Sequence, residues 1–267
     1  MRRVSVVLIA IAFVASVLLT PSVHARASGP RPITYVAIGD SFTYGLFASR
    51  PCETNGFIAP TACPGGTDWV DDLARMLSAT SPTRYLNLAR QGEGVSATFN
   101  DQVPHIPSNA TLVTIQDGYN DSCPLAKDRG ITFDDWSEQM QWLVAAVRQR
   151  APHARIILAT ILNPAFTPDT LAAPCAGDFP AQQAAYTLLN ARMNAVITAL
   201  GVAIVDLRCD PLLYDIKTYN PPDFSHPTDA GYLHIAQRFL DVIDSTAAAT
   251  SQAPCAPYTP SKPSSKI

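Results

Sequence analysis

The sequence predicts an α/β protein, a three-layer α/β/α sandwich on about five parallel strands, from three observations. Five short apolar runs, rich in β-branched residues, read as strands covered on both faces. Between them lie longer stretches with apolar residues at helical spacing, and such alternation implies parallel pairing through right-handed crossovers. The polar clusters able to do chemistry come directly after strands, at the carboxyl edge where ligands bind in such sheets.

Residues 1–25 are read as a signal peptide rather than as part of the fold. Arg2 and Arg3 precede an apolar run from Val4 to Leu19, Thr20-Pro21-Ser22 breaks it, and Val23-His24-Ala25 offers small residues for cleavage. The run of roughly 16 residues is short for a span of ~20, so no stable membrane span is expected after cleavage. Removal takes Lys plus Arg from 19 to 17 against 22 acids, a formal charge of −5. With 15% charged residues and no basic block, a nucleic-acid partner is excluded. The expected protein is secreted and monomeric, with one domain over residues 26–246 and a Pro/Ser-rich tail over 247–267.

The strands are read at residues 33–38, 85–88, 111–115, 155–161 and 202–207. Helices are read at 68–78, 132–149, 181–200 and 229–245. In the second of these Trp136, Met140, Leu143, Val144 and Val147 fall on one face. Two Pro-rich loops, 46–66 and 163–180, are longer than packing requires, and loops of this kind often line sites.

Six cysteines in an exported chain favour disulfides over metal. Six allow 15 pairings, and the sequence does not choose among them. The expected set is Cys52–Cys63 closing a local loop, Cys123–Cys175 joining two loops, and Cys209–Cys255 tethering the tail. No Cys-x-x-Cys or His-Glu-x-x-His occurs, so neither metal nor cofactor is expected.

Ser41 follows the first strand in Gly39-Asp40-Ser41, where a turn would expose its hydroxyl. A serine needs a base to take its proton, and the candidate is His226, with Asp223 three residues ahead to reach the near ring nitrogen. His24 leaves with the signal, and His105, His153 and His234 lack a nearby carboxylate or a suitable loop. Charge developing on an ester carbonyl needs donors. Ser41 N–H, the N–H of Gly92, which has no side chain to block approach, and the Asn120 amide are available. A rival serine, Ser96 in Gly94-Val95-Ser96-Ala97-Thr98, lacks a closing glycine and a strand of its own.

Gly39-Asp40-Ser41, Gly92, Gly118-x-Asn120-Asp121 and Asp223-x-x-His226-Pro227, in this order, resemble the SGNH (GDSL-type) hydrolase family. The resemblance extends from about Ile33 to Ser245. It implies a flavodoxin-like fold, a catalytic triad of Ser41, Asp223 and His226, and an oxyanion hole of Ser41, Gly92 and Asn120. It places the chain beside exported, disulfide-stapled bacterial esterases and lipases. Tyr119 stands where the family frequently has a small residue, and Asp117 is an unusual charge near the oxyanion site. Asp40 and Asp121 are assigned to holding the turns. The expected activity is hydrolysis of a carboxylic ester, whether lipid, short-chain ester or acetylated polysaccharide, with Leu46, Phe47 and Phe57 leaning towards an apolar acyl group. A non-catalytic carbohydrate- or lipid-binding module and an acyltransferase are the alternatives.

Overall fold

The computed structural model describes residues 29–52, 56–126, 131–163, 179–208, 210–220 and 226–245. Residues 1–25 and 247–267, Asp223, Cys175, Cys209, Cys255 and the side chain of Cys123 lie outside the described residues. Five parallel strands form one sheet in the order β2-β1-β3-β4-β5, with β1 at Ile33–Gly39, β2 at Thr83–Asn87, β3 at Leu112–Gln116, β4 at Arg155–Ala159 and β5 at Ala203–Val205. This is the three-layer α/β/α arrangement expected, with the flavodoxin-like strand order.

Alternation along each strand sends successive residues to opposite faces, so the sheet makes two cores. Tyr35, Ala37, Leu112, Ile157 and Val205 join one core. Helices α2 (Trp69–Ser78) and α7 (Asp229–Asp244) cover it, with Trp69 stacked on Phe239 at 4.4 Å between ring centroids. Val36, Ile38, Val113, Ile115, Ile156 and Leu158 join the other core, closed by α5 (Phe133–Arg150) and α6 (Phe179–Ala199). The apolar face read from the sequence, Trp136 to Val147, is fully buried there. Caps start the helices where the sequence offers them: Asp68 accepts from Val70 and Asp71 N–H, Thr132 and Asp135 form a capping box, and Thr228 accepts from Gly231 N–H. Among the described residues, no helix is long and apolar enough to cross a membrane.

Strand ends differ from the apolar runs for local reasons. β2 begins at Thr83, where Thr83 and Arg84 pair with Ile33 and Thr34; an edge strand need not be apolar to be paired. β4 stops at Ala159 and β5 at Val205 because side chains take over the bonding. Thr160 Oγ1 donates to Asp206 and accepts from Leu207 N–H at 2.8 Å.

The order reverses at β1, which lies between β2 and β3. Helices leaving either side of this switch cover opposite faces, and the crevice beyond the carboxyl ends of β1 and β3 is left open. The segments after β1, β2 and β3 converge there.

Candidate active site

β1 ends at Gly39, whose φ is +144°. A Cβ at this position would sit 2.0 Å from the carbonyl oxygen of Gln116 on the neighbouring strand, so only glycine lets the strands stay this close to their ends. Asp40 then caps a one-turn helix, α1 (Ser41–Tyr44), by accepting from Phe42 N–H at 2.9 Å. Ser41 is the first residue of that turn, where the N–H has no intrahelical acceptor, and its side chain is largely buried at the crevice.

A buried polar frame holds this turn. Gln102, on a π-helical turn (Thr98–Gln102), accepts from Gly39 N–H and donates to Gly39 C=O, both at 2.8 Å. The same amide donates to Glu93 Oε2 at 2.7 Å. Asn120, at the start of α4 (Tyr119–Ala126), donates its side-chain amide to Glu93 C=O at 2.7 Å. Asp121 accepts from Val95 N–H, at the start of the short helix α3 (Val95–Ala97), at 3.0 Å. The loops after β1, β2 and β3 are thereby fastened to one another, and Asp40 and Asp121 hold turns as expected.

Gly92 lies in the turn after β2 with φ +77° and open space where a Cβ would be. It is adjacent to Glu93, so the bond from Asn120 ties the two donor-bearing segments together. One hydrogen of the Asn120 amide is engaged in that bond, and an amide has two to give.

His226, just before α7, brings Nε2 to 2.8 Å from Ser41 Oγ across 185 residues of sequence. Its backbone carbonyl accepts from Asn220 N–H at 2.9 Å, and Phe42 and Phe47 lie beside the ring at 5.5 and 5.6 Å between centroids. A hydroxyl and an imidazole at this distance can exchange a proton. His234 is bonded instead to Asp210 at 2.7 Å, a pair within reach of Arg238 rather than of a serine. The helical periodicity around His234 gave no sign of that pairing.

Three carboxyls are buried together near the turn. Burial, and then repulsion from Asp121, push Asp40 up to about 7, opposed by donation from Phe42 and Tyr119 N–H. Burial pushes Asp117 well above the usual carboxylate range, reinforced by Asp40 and Asp121. Burial likewise raises Asp121. The sequence leads one to expect a charge at Asp117. Burial therefore shifts Asp117 towards its neutral form and weakens the charge that its sequence identity suggests.

Cys52 and Cys63 are joined by a disulfide within the first long loop. Phe57 does not face the serine: its ring lies under Arg84 at 4.8 Å and packs on the core beneath the sheet. Residues not singled out by the sequence include Gln102 and Asn220, whose partners lie 63 and 173 residues away.

A model of the GDSL-like Lipase/Acylhydrolase family matches residues 37–233, well over half of the chain. No curated protein matches the chain in sequence. Among solved structures, the chain is similar to an extracellular lipase from Streptomyces rimosus, at 20% identity and TM-score 0.53, covering 80% of this chain and 100% of that one. It is similar to the acetylxylan esterase Axe2 from Geobacillus stearothermophilus, at 20% identity and TM-score 0.55, covering 82% and 97%. It is also similar to phospholipase A1 from Streptomyces albidoflavus NA297, at 18% identity and TM-score 0.51, covering 80% and 99%. At these identities the structural likeness establishes the fold. The family match, extending across every segment that converges on Ser41, establishes that this chain is an ester hydrolase of the GDSL-like lipase/acylhydrolase family.

Proposed function

We propose that the protein is a secreted serine esterase that cleaves carboxylic esters through an acyl-enzyme on Ser41. The observation that carries this reading is the 2.8 Å contact between Ser41 Oγ and His226 Nε2. In this mechanism Nε2 takes the hydroxyl proton as Oγ attacks the carbonyl carbon. Asp223, three residues before His226 in sequence, is assigned the part of orienting the imidazole and stabilising the imidazolium. The N–H groups of Ser41 and Gly92 and the free hydrogen of the Asn120 amide receive the carbonyl oxygen as it becomes negative. His226 then returns the proton to the departing alkoxide. Water, activated by the same imidazole, attacks the acyl-enzyme and releases the acid. No step calls on a metal or an organic cofactor.

Secretion is supported by the layout of residues 1–25, and by the Cys52–Cys63 bridge, which persists only where thiols are oxidised. The lipase, acetylxylan esterase and phospholipase A1 that share the fold make lipid esters and acetylated polysaccharides the substrate classes to test.

The test is a hydrolysis panel of chromogenic esters from acetyl to long acyl, beside acetylated sugars, with Ser41→Ala as the blank. The protein should turn over members of the panel, and the variant should lose at least ~10⁴-fold in kcat while melting at the same temperature. A folded wild-type protein that binds these esters and turns over none would instead be the binding module. Product appearing on an added alcohol in preference to water would indicate an acyltransferase.

A further inference from the structure

Phe47 combines three properties that its packing does not account for. It is the one non-glycine among the described residues with positive φ, at +65°, a conformation uncommon for a bulky side chain. The residue is 54% exposed, so the strained backbone gains little core contact in return. That ring nevertheless lies 5.6 Å from the His226 ring, tilted by 57°.

The strain is held by bonds from the far end of the chain. Tyr232 Oη donates to Leu46 C=O at 2.7 Å, Asn220 Nδ2 donates to Phe47 C=O at 3.2 Å, and Asp229 accepts from Ser49 N–H at 2.8 Å. Asn220 is common to both partners: its backbone N–H bonds His226 C=O and its side chain bonds Pro227 C=O at 2.5 Å. One residue therefore anchors the backbone of both Phe47 and His226. Strained backbone maintained by redundant anchors beside a reactive group points to function.

The side of the site on which Phe47 sits decides what it can touch. The oxyanion donors at Gly92 and Asn120 lie on the β2 and β3 side of Ser41. The proton from Nε2 must reach the ester oxygen that leaves, so the alcohol half of the substrate lies against His226. The acyl half does not. Phe47 flanks His226, which puts it on the leaving-group side of the site rather than on the acyl side that the sequence alone had favoured.

We propose that Phe47 selects the alcohol half of the ester, forming an apolar wall for a leaving group that presents a flat, C–H-rich ring face. The inference rests on the reading that Ser41 and His226 cleave esters. An aromatic side chain binds such faces through dispersion and quadrupole contacts that a linear alcohol cannot fully engage. Aryl-methyl alcohols and pyranoses share this chemistry.

The experiment uses the full chain and three acetates with one acyl group: benzyl acetate, 6-O-acetylglucose and ethyl acetate. Wild type is compared with Phe47→Gly and Phe47→Leu. Glycine suits a φ of +65°, so Phe47→Gly should melt no lower than wild type. It should lower kcat/KM about tenfold for benzyl acetate, acetylglucose or both, through KM, and leave ethyl acetate within about twofold. Phe47→Leu, apolar but not flat, should fall between. Which ring ester responds distinguishes an aryl from a sugar leaving group. Equal losses on all three acetates, or no loss on either ring ester, would overturn the proposal while leaving ester hydrolysis intact. A folded wild type inactive on every ester would bring down the underlying hydrolase reading and this inference with it.

Discussion

Asp40 precedes Ser41 and is more than a turn former. Its carboxyl is deeply buried, caps the Ser41 turn and also faces the N–H of Tyr119, so it joins the segments after β1 and β3. With the folded carboxyl pushed from 3.8 to about 7, the native state keeps a proton that the unfolded chain releases. The stabilisation from that retained proton is therefore full below about pH 4 and is lost as pH rises through about 7. Asp40→Asn keeps a capping oxygen and removes the titration. The difference in unfolding free energy between variant and wild type should grow in the variant's favour from pH 4 to 7, at up to ~1.4 kcal/mol per pH unit. A constant difference across that range, measured by calorimetry, would show that Asp40 is ionised throughout.

At the scale of elements, the π-helical turn Thr98–Gln102 acts as a clamp on the end of β1. Its Gln102 continues the bonding of β1 on the β2 side, just beyond the last β1–β2 register pair, by meeting both backbone groups of Gly39. A leucine at 102 has a similar volume and no hydrogen-bonding groups. Gln102→Leu leaves the buried Gly39 N–H unpaired, which should cost ~1–3 kcal/mol by denaturant unfolding. Because Ser41 is two residues beyond Gly39, kcat should also fall about tenfold or more. A variant destabilised to that extent with unchanged kcat would show that the clamp stabilises the sheet without positioning the serine.

Elements were legible in the sequence where one physical signal dominated. Buried parallel strands need unbroken apolar runs, so β1 and β3 stand out, and the apolar spacing of α5 marks a helix covering one face. The edge strand β2 starts in polar residues, and its extent depends on pairing with β1 that no local pattern records. The π-helical turn owes its conformation to bonds between Gln102 and Gly39, 63 residues apart, and is equally silent.

Across the whole molecule, chemistry was easier to read than support. Ser41, His226, Gly92 and Asn120 follow from the residue types acyl transfer needs, at positions a doubly wound sheet brings to one edge. The residues that hold them do not follow in that way. Asn220 fixing both Phe47 and His226, and Glu93 receiving both Gln102 and Asn120, are contacts created by folding. Asp117 shows the same limit from the other direction: as a letter it is a charge, and only its burial pushes the carboxyl towards the neutral form. The switch point at β1 unites these parts, drawing loops from both halves of the chain into one crevice.

The most direct test follows the acyl group itself. Protein mixed with excess p-nitrophenyl ester, quenched in acid within the first turnovers and digested for peptide mass mapping, should carry the acyl mass on the peptide containing Ser41. The same treatment of Ser41→Ala should yield no adduct and no burst of nitrophenol. Acyl mass found on another residue, Ser96 for instance, with turnover undiminished in Ser41→Ala, would contradict the assignment of Ser41 as nucleophile.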